Sequence, residues 1–407
     1  MPSEAFSLRR IAVPAFGPSL LFGIGDGAIL PIVALSARQL GASVSLAALI
    51  VTLIGIGSML SNIPASLLTT RYGERRAIIG AAIWGALGMA LCIVVAHVVA
   101  LAVGVFMVGM ASAVFGLARQ SYLTEAVPIA MRARALSTLG GVLRIGLFIG
   151  PFIAAGAIHA VGIAGAYGVG IVALVAAAWL ALRMPDLEAP EPVRVAPPQG
   201  DPTKPLAAAP PTLRGMTTHY RSLFLTVGIG VMLVMAVRAS RQVVIPLWAD
   251  AVGLDAATTS MIYGLSSAID MLVFYPAGKV MDQRGRVIVA VPSMLIMGVG
   301  LALMPFTHGT ATLLVAALLI GFGNGIGSGL VMTLGADYSP SPGRAHFLGI
   351  WRLLADVGLA LGPMLLSAVS AAASLAAGIW STALLSFAAA AVLGYWIPIT
   401  NRRWIRR

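Results

Sequence analysis

Residues 184–222 read "MPDLEAPEPVRVAPPQGDPTKPLAAAPPTLRGMTTHYRS". The stretch is rich in proline, alanine and charge and shows no apolar periodicity, so it cannot bury enough surface to fold alone. It is a linker, and what lies on either side of it decides the fold. Working back from it, apolar stretches fall near residues 11–36, 44–69, 77–97, 99–126, 133–160 and 163–183. Working forward, they fall near 221–249, 257–281, 287–306, 310–337, 345–371 and 374–397. Each is close to the roughly 20 residues that a helix needs to cross a hydrocarbon core about 30 Å thick. The expectation is an all-α membrane protein of twelve transmembrane helices in two six-helix, pseudo-symmetric halves. Residues 1–184 form the first bundle, 185–220 a cytoplasmic linker and 221–407 the second bundle.

The composition agrees with that reading. Of 407 residues 59% are hydrophobic and only 10% charged, against about a quarter charged in soluble domains. The formal net charge of +12 does not imply nucleic acid, because the basic residues sit in short gaps between apolar runs and not on a basic patch. The single Cys92 lies inside an apolar run, which leaves no disulfide framework and no Cys/His metal set. No cofactor and no metal are expected.

Lysine and arginine set the orientation. "LRR", "RYGERR", "MRAR", the linker, "GKVMDQRGR", "SPGRAH" and "NRRWIRR" all fall on one side, with Arg38 alone in a loop on the other. By the positive-inside rule both termini and the linker are cytoplasmic. The N-terminal run is too long for a signal peptide, carries Asp26 and lacks a small-residue cleavage site, so it reads as the first span of a multi-pass protein of the inner (cytoplasmic) membrane.

A shift of 212 residues lays the second half on the first. Pro64-Ala65 meets Pro276-Ala277, Gly73 meets Gly285, and Gly109 meets Gly321. Glu125 falls on Asp337, Arg132 on Arg344, and Gly146, Gly150 and Pro151 on Gly358, Gly362 and Pro363. Parallel repeats of six spans point to a secondary transporter whose site lies near mid-membrane between the halves.

The chain here resembles the major facilitator superfamily, apart from its tails and linker. The loop "GKVMDQRGR" (Gly278 to Arg286) is similar to that family's cytoplasmic-loop motif, carried by Asp282, Arg284, Gly285 and Arg286. The resemblance implies that Asp282 latches the loop to the positive N-terminal end of a helix in the other half. The matching loop "SLLTTRYGERR" carries Arg71 and has Gly73 at the place of Gly285, but it has Ser66 for the glycine and Thr70 for the aspartate, which makes the latch lopsided. The stretch "GLFIGPFIAAG" (Gly146 to Gly156) resembles the glycine-proline motif of the family's exporters. Gly150-Pro151 and Gly362-Pro363 are expected to kink their helices and let another helix approach. "GFGNGIGSG" (Gly321 to Gly329) lacks the spacing of a nucleotide loop and reads as close helix packing.

Eight charges lie inside the spans: Asp26, Arg119, Arg144, Arg238, Arg241, Asp270, Arg352 and Asp356. At about 2.5–3.5 kcal/mol each at a helix centre, facing lipid would cost on the order of 20 kcal/mol, more than ordinary folding stability. They must face one another or a water-filled cavity. Arg352 and Asp356, spaced i,i+4, share a face and can neutralise each other. Glu125 and Asp337, each seven residues before an arginine (Arg132, Arg344), read as salt-bridge networks at the cytoplasmic gate. Counting back five residues from Pro31 and from Pro246 gives Asp26 and Arg241 as corresponding places, and Asp26 is expected to pair with Arg144 or Arg241.

The functional expectation is a proton-coupled exporter of a drug-like or metabolite small molecule, monomeric in the bilayer. Asp26, Asp270 or Asp356 would carry the proton. Arg119, Arg144, Arg238, Arg241, Arg352, Gln120, Asn324 and Tyr263 would line the cavity, with Trp248 and Trp351 as further aromatic contacts. The excess of arginine over aspartate keeps a second expectation open, an organic-anion carrier or importer, and a lipid flippase is a third. An enzyme is not expected, since no nucleophile and base are set together. The partners are therefore a small molecule, protons and the lipid bilayer, and no nucleic acid.

Overall fold

The computed structural model describes residues 8–127, 132–184, 213–340 and 344–405. Among them twelve helices or helix pairs are long and apolar enough to cross a membrane. Helix is the regular structure throughout, as a lipid interior demands when each backbone group must be satisfied within its own segment.

The first span is broken. α1 (Leu8–Ile29) and α2 (Val33–Gln39) are separated at Leu30 to Ile32, around Pro31. Residues 11–36 are thus not the single helix expected from their apolar run, because Pro31 has no N–H to continue the ladder. Then follow α3 (Val44–Tyr72), α4 (Glu74–Val94), α5 (Val98–Ala126), α6 (Arg132–Val161) and α7 (Ala164–Ala181). Beyond residues 185–212, which lie outside the described part, come α8 (Leu213–His219), α9 (Arg221–Leu223), a π-helical turn at Phe224–Gly228 and α10 (Ile229–Ala251). The second set closes with α11 (Ala256–Arg284), α12 (Val287–Leu303), α13 (Thr310–Ile326), α14 (Leu330–Tyr338), α15 (Arg344–Ala372) and α16 (Leu375–Ile405). α13 and α14 are one span interrupted at Gly327 to Gly329, where Gly329 takes φ +82°. That is left-handed backbone, which glycine adopts without steric cost.

The 212-residue repeat is visible in the packing. A Cβ added to Gly109 would strike the Ile54 carbonyl, and one added to Gly321 the Ser266 carbonyl. Gly146 meets Leu20 as Gly358 meets Met232, and Gly150 meets Ile24 as Gly362 meets Ala236. Each pair of contacts differs by the same offset. Ser43 caps α3 by accepting from the Leu46 N–H at 3.2 Å, and Asp255, its image, caps α11 by accepting from the Thr258 N–H at 2.9 Å. The "GFGNGIGSG" stretch packs as expected: Gly321, Gly323 and Gly325 stand against the backbone of Ser266, Ser293 and Asp270. α6 and α15 run on through Pro151 and Pro363, so the glycines beside these prolines act by close approach.

The proline-counted correspondence of Asp26 with Arg241 fails. Leu20 and Ile24 map onto Met232 and Ala236, which makes Arg238 the image of Asp26. The break at Pro31 and the continuous α10 around Pro246 put the two prolines out of register.

The first and last six spans meet through α3 with α15, α6 with α11 and α2 with α10. On the side opposite the termini Ser367 donates to the Ser45 carbonyl at 2.8 Å and Arg38 pairs with Asp250 at 3.1 Å.

Candidate functional site

A cavity of about 300 Å³ lies between the two sets of spans. α10 supplies Arg238, Arg241 and Gln242, α11 supplies Tyr263, Ser267 and Asp270, and the α13 span supplies Asn324 and Ser328. From the first six spans come Arg144, Leu147 and Phe148 of α6, with Leu30 at the break after α1. Of the expected lining, Arg144, Arg238, Arg241, Asp270, Asn324 and Tyr263 are brought together.

Arg241 and Asp270 are the cavity's bonded ion pair. The Arg241 side chain, 7% exposed, donates from Nη1 to Asp270 Oδ2 at 3.2 Å and from Nη2 to Ser266 Oγ at 3.3 Å. Asn324 Nδ2 donates to the same Oδ2 at 2.6 Å. The Asp270 charge is thus already answered. Ser266 and Ser267 sit four and three residues before Asp270 on one face of α11, a signal that the sequence reading passed over.

Arg238 and Arg144 have no carboxylate bonded to them. Arg238 Nη2 donates to the Asn324 carbonyl at 3.4 Å. That oxygen is free because the helix breaks there: the Ser328 N–H, its partner in an unbroken helix, bonds to Gly325 O at 3.1 Å instead. The Arg144 guanidinium lies 4.3 Å from the centre of the Phe274 ring, a cation–π contact that holds a charge without neutralising it. The lining therefore carries three guanidinium groups against one carboxylate.

Asp26 is elsewhere. Its Oδ2 accepts from Ser112 Oγ of α5 at 3.5 Å, and its Oδ1 is buried without a hydrogen-bond partner. The cation that acts on it is Arg119, whose Nε and Nη1 are likewise buried and unbonded. Arg119 lies 6.0 Å from the centre of the Phe115 ring, which stacks on Phe22 at 4.0 Å. The expected pairing of Asp26 with Arg144 or Arg241 is overturned, because Arg241 is taken by Asp270 and Arg144 by Phe274.

Three expected lining residues are not at the cavity. Arg119 belongs with Asp26. Gln120 is exposed one position further round α5. The Arg352 side chain is 73% exposed and stands 3.9 Å from Asp356, a weak form of the expected i,i+4 pair. Asp356 lines no part of the cavity either. Trp248 donates to Thr307 Oγ1 and Trp351 to the Val331 carbonyl, both at 2.9 Å, so these two aromatics are tied into the packing.

At the loop motif, Asp282 accepts from Arg286 at 3.2 Å within its own half, and its side chain is 74% exposed. Arg286 also pairs with Asp337 at 2.8 Å, which raises the Arg286 guanidinium above its ordinary range. The latch expected from Asp282 to the other half is not what this arrangement contains, and Asp337 finds Arg286. The side chains of Arg132, Arg344 and Thr70 lie outside the described residues. In the first half Glu74, the image of Arg286, accepts from Ser121 at 2.9 Å, and Arg71 lies 5.5 Å from the centre of the Tyr72 ring. Glu125 and Arg284 take no part in the cavity lining. Gly73 and Gly285 turn the chain at φ +81° and +94°.

The sequence profile of the Major Facilitator Superfamily matches residues 19–341 and again 227–405. No curated protein matches the chain significantly by sequence. Among solved structures it is similar to a bacterial homolog of the human lysosomal transporter Spinster, in an inward-facing and unoccupied conformation, with TM-score 0.74, 15% identity and 96% of each chain covered. It is also similar to the nucleoside transporter NupG, with TM-score 0.70, 14% identity and coverage of 94% of this chain and 99% of that one. A D-xylose-proton symporter gives TM-score 0.70 at 15% identity over 96% and 97% of the two chains. With twelve apolar spans, an internal repeat and a family profile over nearly its whole length, the chain belongs to the Major Facilitator Superfamily and is a multi-pass membrane transporter, not an enzyme.

Proposed function

We propose that the chain is a proton-coupled carrier of a small organic anion with an apolar body, working by alternating access between the two six-span halves. The observation that carries this reading is the cavity lining, in which Arg144, Arg238 and Arg241 face a single carboxylate already bonded to Arg241. Two uncompensated guanidinium groups in a low-dielectric enclosure favour an anionic guest, and arginine binds carboxylate or phosphate through paired N–H donors. The apolar wall of Leu30, Leu147, Phe148, Met235 and Met271 suits an aromatic or aliphatic body.

The reading reverses the order of the two sequence expectations, placing the anion carrier ahead of the exporter of a drug-like or metabolite small molecule. Export in exchange for protons remains the direction we assign, on the resemblance of Gly146 to Gly156 to the exporter motif. That support is the lesser one, since the same glycine packing recurs at Gly358 and Gly362. Asp26 is the proton carrier in this reading, because its buried carboxylate is bonded only to a serine hydroxyl while Asp270 holds two donors. The membrane is the cytoplasmic membrane, with both termini and the linker cytoplasmic as the arginine distribution requires, and the working unit is the monomer.

The test is flux in proteoliposomes under an imposed pH gradient. An aromatic carboxylate should move with the gradient and its uncharged amide should not. Arg238→Gln should raise KM for the carboxylate about 10–100-fold, the loss expected for a charge-assisted hydrogen bond. Equal transport of acid and amide would overturn the reading.

A further inference from the structure

A second groove, of about 450 Å³, runs along the outer surface of α3, α4 and α5, away from the cavity between the halves. Leu68 and Tyr72 of α3, Gly80 and Trp84 of α4 and Met110 of α5 wall it, and Arg76 is the one charged residue among its described lining. Tyr72 and Trp84 are 50% and 43% exposed. Nothing stands within 4 Å of where a Cβ of Gly80 would be, so the floor of the groove is open there.

The groove is charged at one end only. Arg76 lies in the first turn of α4, on the side of the termini. Its neighbours are engaged: Glu74 accepts from Ser121, and Arg75 donates to the Leu182 carbonyl. Arg76 is exposed and has no hydrogen bond or ion pair among the described residues. Trp84 follows it by eight residues, about 12 Å down the helix. A cation at the membrane interface thus stands at the head of an apolar trough that reaches well into the hydrocarbon. The repeat does not account for this. The 212-residue offset puts Ile288 at the place of Arg76, Pro292 at that of Gly80 and Ile296 at that of Trp84.

We propose that this groove is a binding site for an anionic phospholipid. The lipid phosphate sits on Arg76 beside Tyr72, and one acyl chain lies over Gly80 toward Trp84. The fit is one of charge and length together: basic pockets at the ends of membrane helices take acidic head groups, and the apolar trough takes the chain. A zwitterionic lipid would gain the trough but little from the arginine.

The experiment uses the full chain in detergent, with phosphatidylglycerol or phosphatidylcholine of identical acyl chains added. Phosphatidylglycerol should raise the Tm by about 2 °C or more above phosphatidylcholine, since a ligand stabilises in proportion to its occupancy. Arg76→Gln, a surface change, should erase that difference, and Gly80→Leu should remove the effect of both lipids. Phosphatidylglycerol with brominated chains should quench Trp84, read as the difference between wild type and Trp84→Phe, and this holds the test open if Gly80→Leu does not fold. Equal stabilisation by the two lipids, a phosphatidylglycerol preference kept in Arg76→Gln, or no quenching of Trp84 would overturn the proposal. Because the groove is remote from Arg144, Arg238 and Arg241, its failure would leave the anion-carrier reading untouched.

Discussion

Arg38 and Asp250 are 212 residues apart, so each is the other's image under the internal repeat, and they are bonded to each other at 3.1 Å. A contact between equivalent positions lies at the pseudo-two-fold axis, and this one joins the two halves on the side opposite the termini. Both side chains are about a third exposed, so the pair is worth at most about 1 kcal/mol. That is enough to shift a two-state equilibrium several-fold.

Charge reversal at either residue should therefore favour opening on that side. In a background with Cys92→Ser, a cysteine placed at Ser367, which donates to the Ser45 carbonyl across the two halves on the same side, should react several-fold faster in Arg38→Asp or Asp250→Arg. The exchange of both charges should return the rate toward wild type. A double variant as reactive as the singles would show that the pair does not hold this side shut.

The buried pair in the cavity should behave differently. Arg241 is nearly fully buried, so Asp270→Leu leaves a charge without its partner and should cost about 3–5 kcal/mol of stability. Arg241→Met together with Asp270→Leu should cost much less than the sum of the two, because the second change removes the stranded charge. Additive losses in thermal unfolding would mean that the bond at 3.2 Å contributes little.

Asp26→Asn keeps a side-chain oxygen for Ser112 and should leave the fold intact while abolishing flux driven by a pH gradient. Exchange of labelled substrate at equal pH on both sides should persist, since the arginines of the cavity are unchanged. A pH-dependent flux like that of wild type would take Asp26 out of the mechanism.

Asp255 offers a pH prediction outside the spans. The Thr258 hydroxyl and N–H both donate to its carboxylate, at 2.6 and 2.9 Å, and hold it below its ordinary value. A carboxyl depressed in the folded state stabilises at pH above its unfolded value, near 4, and that contribution fades as pH falls through the folded one. Asp255→Ala should lose about 1 kcal/mol at neutral pH, the usual worth of an N-cap. The gap from wild type should close on acidification, and a gap independent of pH would contradict the assignment.

How much of this was legible in the sequence follows from what kind of signal each feature leaves. The spans and the 212-residue offset were plain, because hydropathy and repeated glycines are local and one-dimensional. The packing of Gly146 on Leu20 and of Gly358 on Met232 is the same offset seen in space. Charge pairing was not legible. Asp26 was matched with Arg241 of α10 by counting from prolines, and the break at Pro31 upset the count. Its surroundings are instead Ser112 and Arg119, two turns apart on α5, a partnership that only the crossing of α1 with α5 defines. The cavity residues Ser267, Gln242 and Ser328 were missed for a related reason: serine and glutamine leave no mark in a hydropathy reading, although Ser267 stands three residues before Asp270. The loop motif showed the reverse error, since the position of Asp282 was recognised while its bond to Arg286 was not.

The central claim is that the cavity selects an anion. The measurement that tests it most directly is thermal stability of the purified protein against matched organic acids, their amides and lipophilic cations, each at two pH values. At about a hundredfold excess over its dissociation constant a ligand should contribute about 2.7 kcal/mol. The account predicts stabilisation by the acids, none by the amides or cations, and a fall of the effect to about 0.4–1.4 kcal/mol at the same acid concentration in Arg238→Gln. Stabilisation by the cations or amides, with the acids inert, would contradict it.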